Sequence, residues 1–116
     1  MNAMTDSAAR PPAVVPMSTT CPDVTVAQAV ARELVECRLA ACVQMVPIRS
    51  VYRWEGSVEE AGEYLLVAKT KKHLVEEFTA MIKRYHPYEV PEVAVMPIIG
   101  GSEEYLEWVR SETTES

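Results

Sequence analysis

Positive charge is scarce in this chain. Eleven Lys and Arg face seventeen Asp and Glu across 116 residues, a formal net charge of −6. Nucleic-acid binding needs clustered cations, so this balance argues against a phosphate-backbone partner. It argues equally against an anionic membrane surface. Long apolar runs are missing too, and no stretch is long enough to span a bilayer. The first residues lack the apolar core of a secretory signal. Cysteine is sparse: Cys21, Cys37 and Cys42 form no Cys-x-x-Cys pair, and their odd number fits a reducing compartment better than a disulfide framework. These absences predict a cytoplasmic protein with no nucleic-acid and no membrane partner. Neither a nucleophile–base pattern nor a phosphate-binding loop is present, so an enzyme is not expected.

What remains is a chain with apolar residues at 48%, enough for one packed domain. Residues 1–12 read as a disordered leader, 13–110 as the domain, and 111–116 as a frayed tail. Ala13 to Thr20 reads as a first strand, with Pro16 predicting a bulge or a late start. Asp23 or Thr25 can cap a helix to about Leu39, whose apolar stripe includes Val26, Ala27, Val30, Ala31, Leu34 and Val35. A strand from about Ala41 to Trp54, interrupted near Pro47, then turns at Glu55-Gly56-Ser57. The returning strand covers Val58 to Thr70. Gly62 predicts a bulge in it, and the run Tyr64 to Ala68 suggests burial on both faces.

Leu74, Phe78, Met81, Ile82 and Tyr85 recur at helical spacing from Lys72 to Tyr85, and His86-Pro87 ends that helix. Val93 to Met96 makes a last strand. Gly100-Gly101-Ser102 opens a short helix, Glu103 to Arg110, with Tyr105 and Trp108 on one face. The order β-α-β-β-α-β defines an α+β fold, the ferredoxin-like split βαβ, with an antiparallel sheet, a long central hairpin and a short C-terminal helix. Helices are expected on one sheet face only. The other face, with the hairpin's apolar residues, needs burial by self-association.

Several segments carry a family resemblance: Thr20-Cys21-Pro22, Arg38 to Val43, Ser50 to Gly56, Leu65 to Thr70, His86-Pro87-Tyr88-Glu89-Val90-Pro91-Glu92, and Tyr105 to Trp108. In this order and spacing the chain resembles the CutA family of divalent-cation-tolerance proteins. The resemblance implies a homotrimer, with Tyr52, Trp54 and Trp108 as packing anchors. It also implies a response to metal ions, with copper or another divalent cation as the bound ion. In the family the proposed copper ligands lie at the His86 junction and near the end of the first strand. Here Tyr85 stands where some members have a second histidine, and Thr19 where a cysteine ligand has been proposed. The metal candidates are therefore His86 and Cys21, whose place before a helix N-terminus could lower its thiol pKa.

The same trimer is similar to that of PII-type signal proteins. That likeness implies a second reading, a small-molecule effector such as a carboxylate or phosphate bound between subunits. Lys69, Tyr88 and Glu89 would then line the cleft beside His86. A third reading is a scaffold for another protein. Glu59, Glu60 and Glu63 read as an exposed hairpin face rather than an acid–base pair.

Overall fold

The computed structural model describes residues 11–87 and 89–115. β1 spans Val14–Cys21, α1 Val24–Glu36, β2 Cys42–Trp54 and β3 Ser57–Lys71. A 3₁₀ turn, Lys72–Leu74, leads into α2, Val75–Tyr85. β4 is Ala94–Val95, and α3 is Glu103–Glu112. The four strands form one sheet in the order β2-β3-β1-β4, with every neighbouring pair antiparallel. This is the strand order of the expected split βαβ fold.

Local chemistry explains the element ends. The Asp23 carboxylate accepts the Val26 N–H at 2.9 Å and caps α1. Ala27, Val30, Ala31 and Leu34 are its buried stripe. The helix stops where Arg38 takes a left-handed φ of 63°, which lets the Leu39 and Ala40 N–H groups both reach the Leu34 carbonyl. At the hairpin, Glu55 and Gly56 take φ of 50° and 84°, so a two-residue turn joins Trp54 directly to Ser57. α2 has Glu76 and Glu77 in its first turn and Lys83 and Arg84 in its last, matching its dipole. It ends at His86, held extended before Pro87.

The expected bulges are absent. The β1–β3 register runs unbroken from Val14↔Lys71 to Cys21↔Tyr64, straight through Pro16. In a strand a residue's N–H and C=O point to the same side. The Pro16 carbonyl accepts from Met96, on the β4 side. The donor that proline lacks is therefore missing from the short β4 edge, and the long central ladder is spared. Pro47 likewise fails to interrupt β2, because β2 is an edge strand of this sheet, where proline is tolerated. Gly62 stays in register opposite Arg49. A Cβ there would meet only an Arg49 guanidinium nitrogen, at 3.9 Å.

The main core lies between one sheet face and the helices α1 and α2. Met17, Leu34, Leu66, Leu74, Phe78 and Ile82 are its fully buried centre. β3 is not buried on both faces. Leu66 and Ala68 are buried, whereas their neighbours Leu65 and Val67 on the other face are half-buried. Coverage of that second face also differs from expectation. Val14, which alternates away from Val15 and Met17, packs with Ala41, Leu106 and Val109, so α3 covers one end of the second face. The segment read as a frayed tail is tied down along its described length. The Lys71 ammonium donates to the Thr113 and Arg110 carbonyls, Thr114 N–H reaches Arg38 O, and Thr113 is buried. Residues 1–10 of the expected leader and Ser116 lie outside the described residues, while Pro12 accepts a hydrogen bond from Arg110.

Candidate functional site

The face left open by α3 carries a cleft of about 600 Å³ at the base of the hairpin. Strand alternation builds its walls. On β2, Tyr52 and Trp54 are two residues apart and share a face. On β3, Glu63 lies on that same face, two residues from Leu65, which stands opposite Thr20 in the β1 ladder. The stretch before β4 crosses above them and adds Glu89 and Glu92. Its path is held at two points. The Ser18 hydroxyl donates to Glu92 at 3.1 Å, and His86 bonds the Thr20 carbonyl. That carbonyl can only accept, so Nε2 of His86 carries the proton.

The cleft is negative. Its lining has carboxylates from Glu63, Glu89 and Glu92 and includes no Lys, Arg or His among the described residues. Glu63 is only 8% exposed, which corrects its reading as part of an exposed hairpin face. Its spacing from Leu65 and Val67, residue by alternate residue, carried that information, but a run of three nearby glutamates masked it. Glu92 lies within the His86–Glu92 motif, and only the fold shows that it faces Ser18.

The sequence-predicted residues separate into groups. Glu89, Tyr52 and Trp54 meet at the cleft. Lys69 does not. It pairs with Pro16 and Cys42 in register, four residues beyond Leu65, or roughly 13 Å along the strand. Its ammonium donates to Gln44 at 3.1 Å. Tyr88 lies outside the described residues. Trp108 is on α3, at the far end of the sheet, with its ring 5.7 Å from that of Tyr105. The Tyr105 hydroxyl sits 3.6 Å from Cys42 Sγ, and burial with that contact pushes its pKa up to about 12.

Cys21 and His86 flank Thr20 in different surroundings. Cys21 belongs to the apolar core and is fully buried. Burial, then the negative charges of Asp23 and Glu63, push its thiol up to about 11. The expected lowering by the helix N-terminus is outweighed, and the thiolate that would bind copper is disfavoured. Among the described residues no group of three His, Cys, Asp or Glu is close enough to hold one ion. These residues do not fit the soft copper set expected from the first strand and the His86 junction. None of the described helices is long and apolar enough to cross a membrane.

A model of the family described as CutA1 divalent ion tolerance protein matches residues 15–112. The human protein named CutA is 47% identical over 95 residues, which is 81% of this chain and 53% of the human one. This chain thus spans about half the length of that relative. The divalent-cation tolerance protein CutA of Thermus thermophilus is also 47% identical over 95 residues, covering 92% of its length. The solved Thermus structure superposes with a TM-score of 0.85 at 44% identity, over 87% of this chain and 99% of that one. The Arabidopsis thaliana relative, 42% identical over 95% of this chain and 60% of its own length, is named as chloroplastic.

Proposed function

Since the chain belongs to the CutA1 divalent ion tolerance family, we propose that it acts as a homotrimer in the response to divalent cations, binding them weakly through oxygen ligands at the hairpin cleft. The CutA family is not known to be enzymatic. The observation that supports this reading is the cleft itself, in which Glu63, Glu89 and Glu92 face one space that no described cationic side chain lines. Carboxylate oxygen suits a hard divalent ion. Because the carboxylates do not converge tightly, the ion keeps part of its water shell, as magnesium-like ions do.

Self-association has its own support. Among the described residues, the 13-residue outer edge of β2 has no strand partner. Val51 and Val58, on the hairpin face opposite Tyr52 and Trp54, are 68% and 64% exposed. Long apolar edges of this kind associate unless covered. In the trimer, Val51 and Val58 pack on a neighbour, and Tyr52 and Trp54 border the cleft whose open side the neighbour closes. Trp108 anchors the other end. A cytoplasmic location is part of this proposal, and the compartment is a property to be measured, since a relative is named for the chloroplast.

The effector reading changes sign on this geometry. An anionic carboxylate or phosphate would be repelled by the three glutamates, and Lys69 is not beside them to offset this. Native mass spectrometry of protein purified without chelator tests the assembly. A trimer is expected, and a monomer would sink this reading. Thermal shifts with magnesium, manganese and copper salts then test the site. Stabilisation by magnesium or manganese should weaken in Glu63→Gln and Glu92→Gln. Equal shifts in the wild type and both variants would place cation binding elsewhere.

A further inference from the structure

α3 packs outside the main core. Leu106 and Val109 join Val14 and Ala41 in a small separate cluster, while α1 and α2 share the large one. A ten-residue helix is marginal in water by itself, and two buried apolar side chains cover it thinly. Polar ties supply the rest, and most of them reach the tail that follows it. The Lys71 ammonium donates to the Arg110 carbonyl at 3.4 Å and to the Thr113 carbonyl at 3.2 Å. The Arg38 guanidinium donates to the Ser111 carbonyl at 3.0 Å, and the Arg38 carbonyl accepts the Thr114 N–H at 2.8 Å. His73 Nε2 donates to the Glu115 carbonyl at 3.1 Å, since a carbonyl can only accept.

These ties share a pattern. Each joins the body of the domain to a main-chain atom of residues 110–115. They come from two connections, the α1–β2 turn at Arg38 and the β3–α2 junction at Lys71 and His73, so the tail is strapped on both sides. Lys71 is 3% exposed, and among the described residues it makes no ion pair with a carboxylate. Its charge faces the carbonyls at the negative end of α3 instead. A buried cation regains its water shell when such partners leave. Lifting the tail and hydrating Lys71 are therefore one event, which favours all-or-none opening over gradual fraying.

From these features we infer that α3 and residues 111–115 form a lid, latched by Lys71, that opens over one end of the second sheet face while the core under α1 and α2 stays folded. Opening uncovers Val14 and Ala41. It also lifts Tyr105 off Cys42 of β2, together with Trp108 beside it. Trp108 is an anchor of the proposed trimer, so lid closure and assembly favour each other. That coupling rests on the trimer reading, whereas the lid rests on the contacts within one subunit.

Amide hydrogen exchange of the whole protein, resolved by residue, tests the lid. In the wild type the amides of Glu107 to Glu112 should share one opening, faster than that of Phe78 to Ile82 in α2. Lys71→Ala should raise the α3 opening about tenfold or more and leave α2 unchanged. Because Lys71 is a buried strand position, a chain ended after Glu112 serves as a second variant and should act in the same direction. Rates graded along α3 would mean fraying and would overturn the lid. So would an α3 opening no faster than that of α2, or wild-type α3 exchange in both variants. Native mass spectrometry on dilution reads the coupling: the shortened chain should dissociate at about tenfold higher protein concentration than the wild type. Unchanged dissociation beside a faster α3 opening would overturn the coupling and keep the lid. A wild-type monomer would sink the trimer reading, and the exchange rates would still decide the lid.

Discussion

From Cys42 to Met45 against Leu66 to Lys69, the β2–β3 ladder lies over the helix-covered core. From Ser50 to Trp54 against Ser57 to Ala61, the same ladder in the same register runs out into solvent. Both halves have regular hydrogen bonding, so backbone pairing does not distinguish them. What differs is side-chain cover. Leu66 and Ala68 are buried against α1 and α2, whereas Val51 and Val58 are largely exposed. A two-stranded ribbon alone is marginal in water. The inner half is therefore stabilised by the fold, whereas the outer half is the part that the proposed assembly would cover, and it shapes the cleft.

The strongest way to break this comparison is at the covered end. Phe78→Ala should destabilise the subunit by about 3–5 kcal/mol, read by urea unfolding. A loss below about 1 kcal/mol would mean that assembly at the hairpin, and not the helical core, holds the fold. Cys21 probes the same end through pH. Its folded pKa is raised from 9.0 to about 11, so between those values the unfolded chain releases a proton that the folded chain keeps. Stability should fall as pH rises through this window, by about 1–3 kcal/mol. Cys21→Ala should flatten that slope, and a slope unchanged in the variant would assign it to another group.

At the boundary between the halves, Gly62→Ala sharpens the comparison. No bulge or positive φ requires glycine there, and a Cβ meets only the end of the Arg49 side chain. The variant should gain about 0.5–1 kcal/mol in thermal unfolding, whereas a loss would reveal a close approach made only in the assembly. The smallest effect on the subunit is expected at the tip. Val58→Glu should leave the unfolding midpoint of the isolated subunit within about 0.5 kcal/mol of the wild type. Its sedimentation should nevertheless shift to smaller species. An intact assembly would show that this hairpin face is not an interface.

Much of the fold was legible because period and punctuation agree. Ala27, Val30, Ala31 and Leu34 keep helical spacing after a capping Asp23, and Glu55-Gly56 marks a turn that the backbone then takes. Where sequence expectation and structure differ, a residue's neighbours in space decide the outcome. Pro16 and Pro47 suggested breaks, since a lost donor looks costly along the chain. Each is harmless once the strand beside it is known to be short or absent. The tail looked frayed because its sequence is polar, yet the buried Lys71 ammonium collects its carbonyls. Glu89, read from the sequence as a cleft residue, and Tyr52 and Trp54, read as trimer packing anchors, all border the cleft. Lys69, expected in a cleft between subunits, is not among the residues that line the cleft of the single subunit, and sequence gives no distance between β3 positions and the crossing segment.

Periodicity, capping and turn chemistry act over a few residues, so the sequence alone determined the element order, the hairpin turn and the helix that ends at His86-Pro87. The resemblance in its motifs determined the family. Only the tertiary structure decided which side of each strand is dry, where α3 docks and which carboxylates face one another. Those properties depend on register and on packing between distant segments. That is why the local pattern could indicate a polar junction at His86, and the fold alone could give the cleft beside it a negative charge and an aromatic wall.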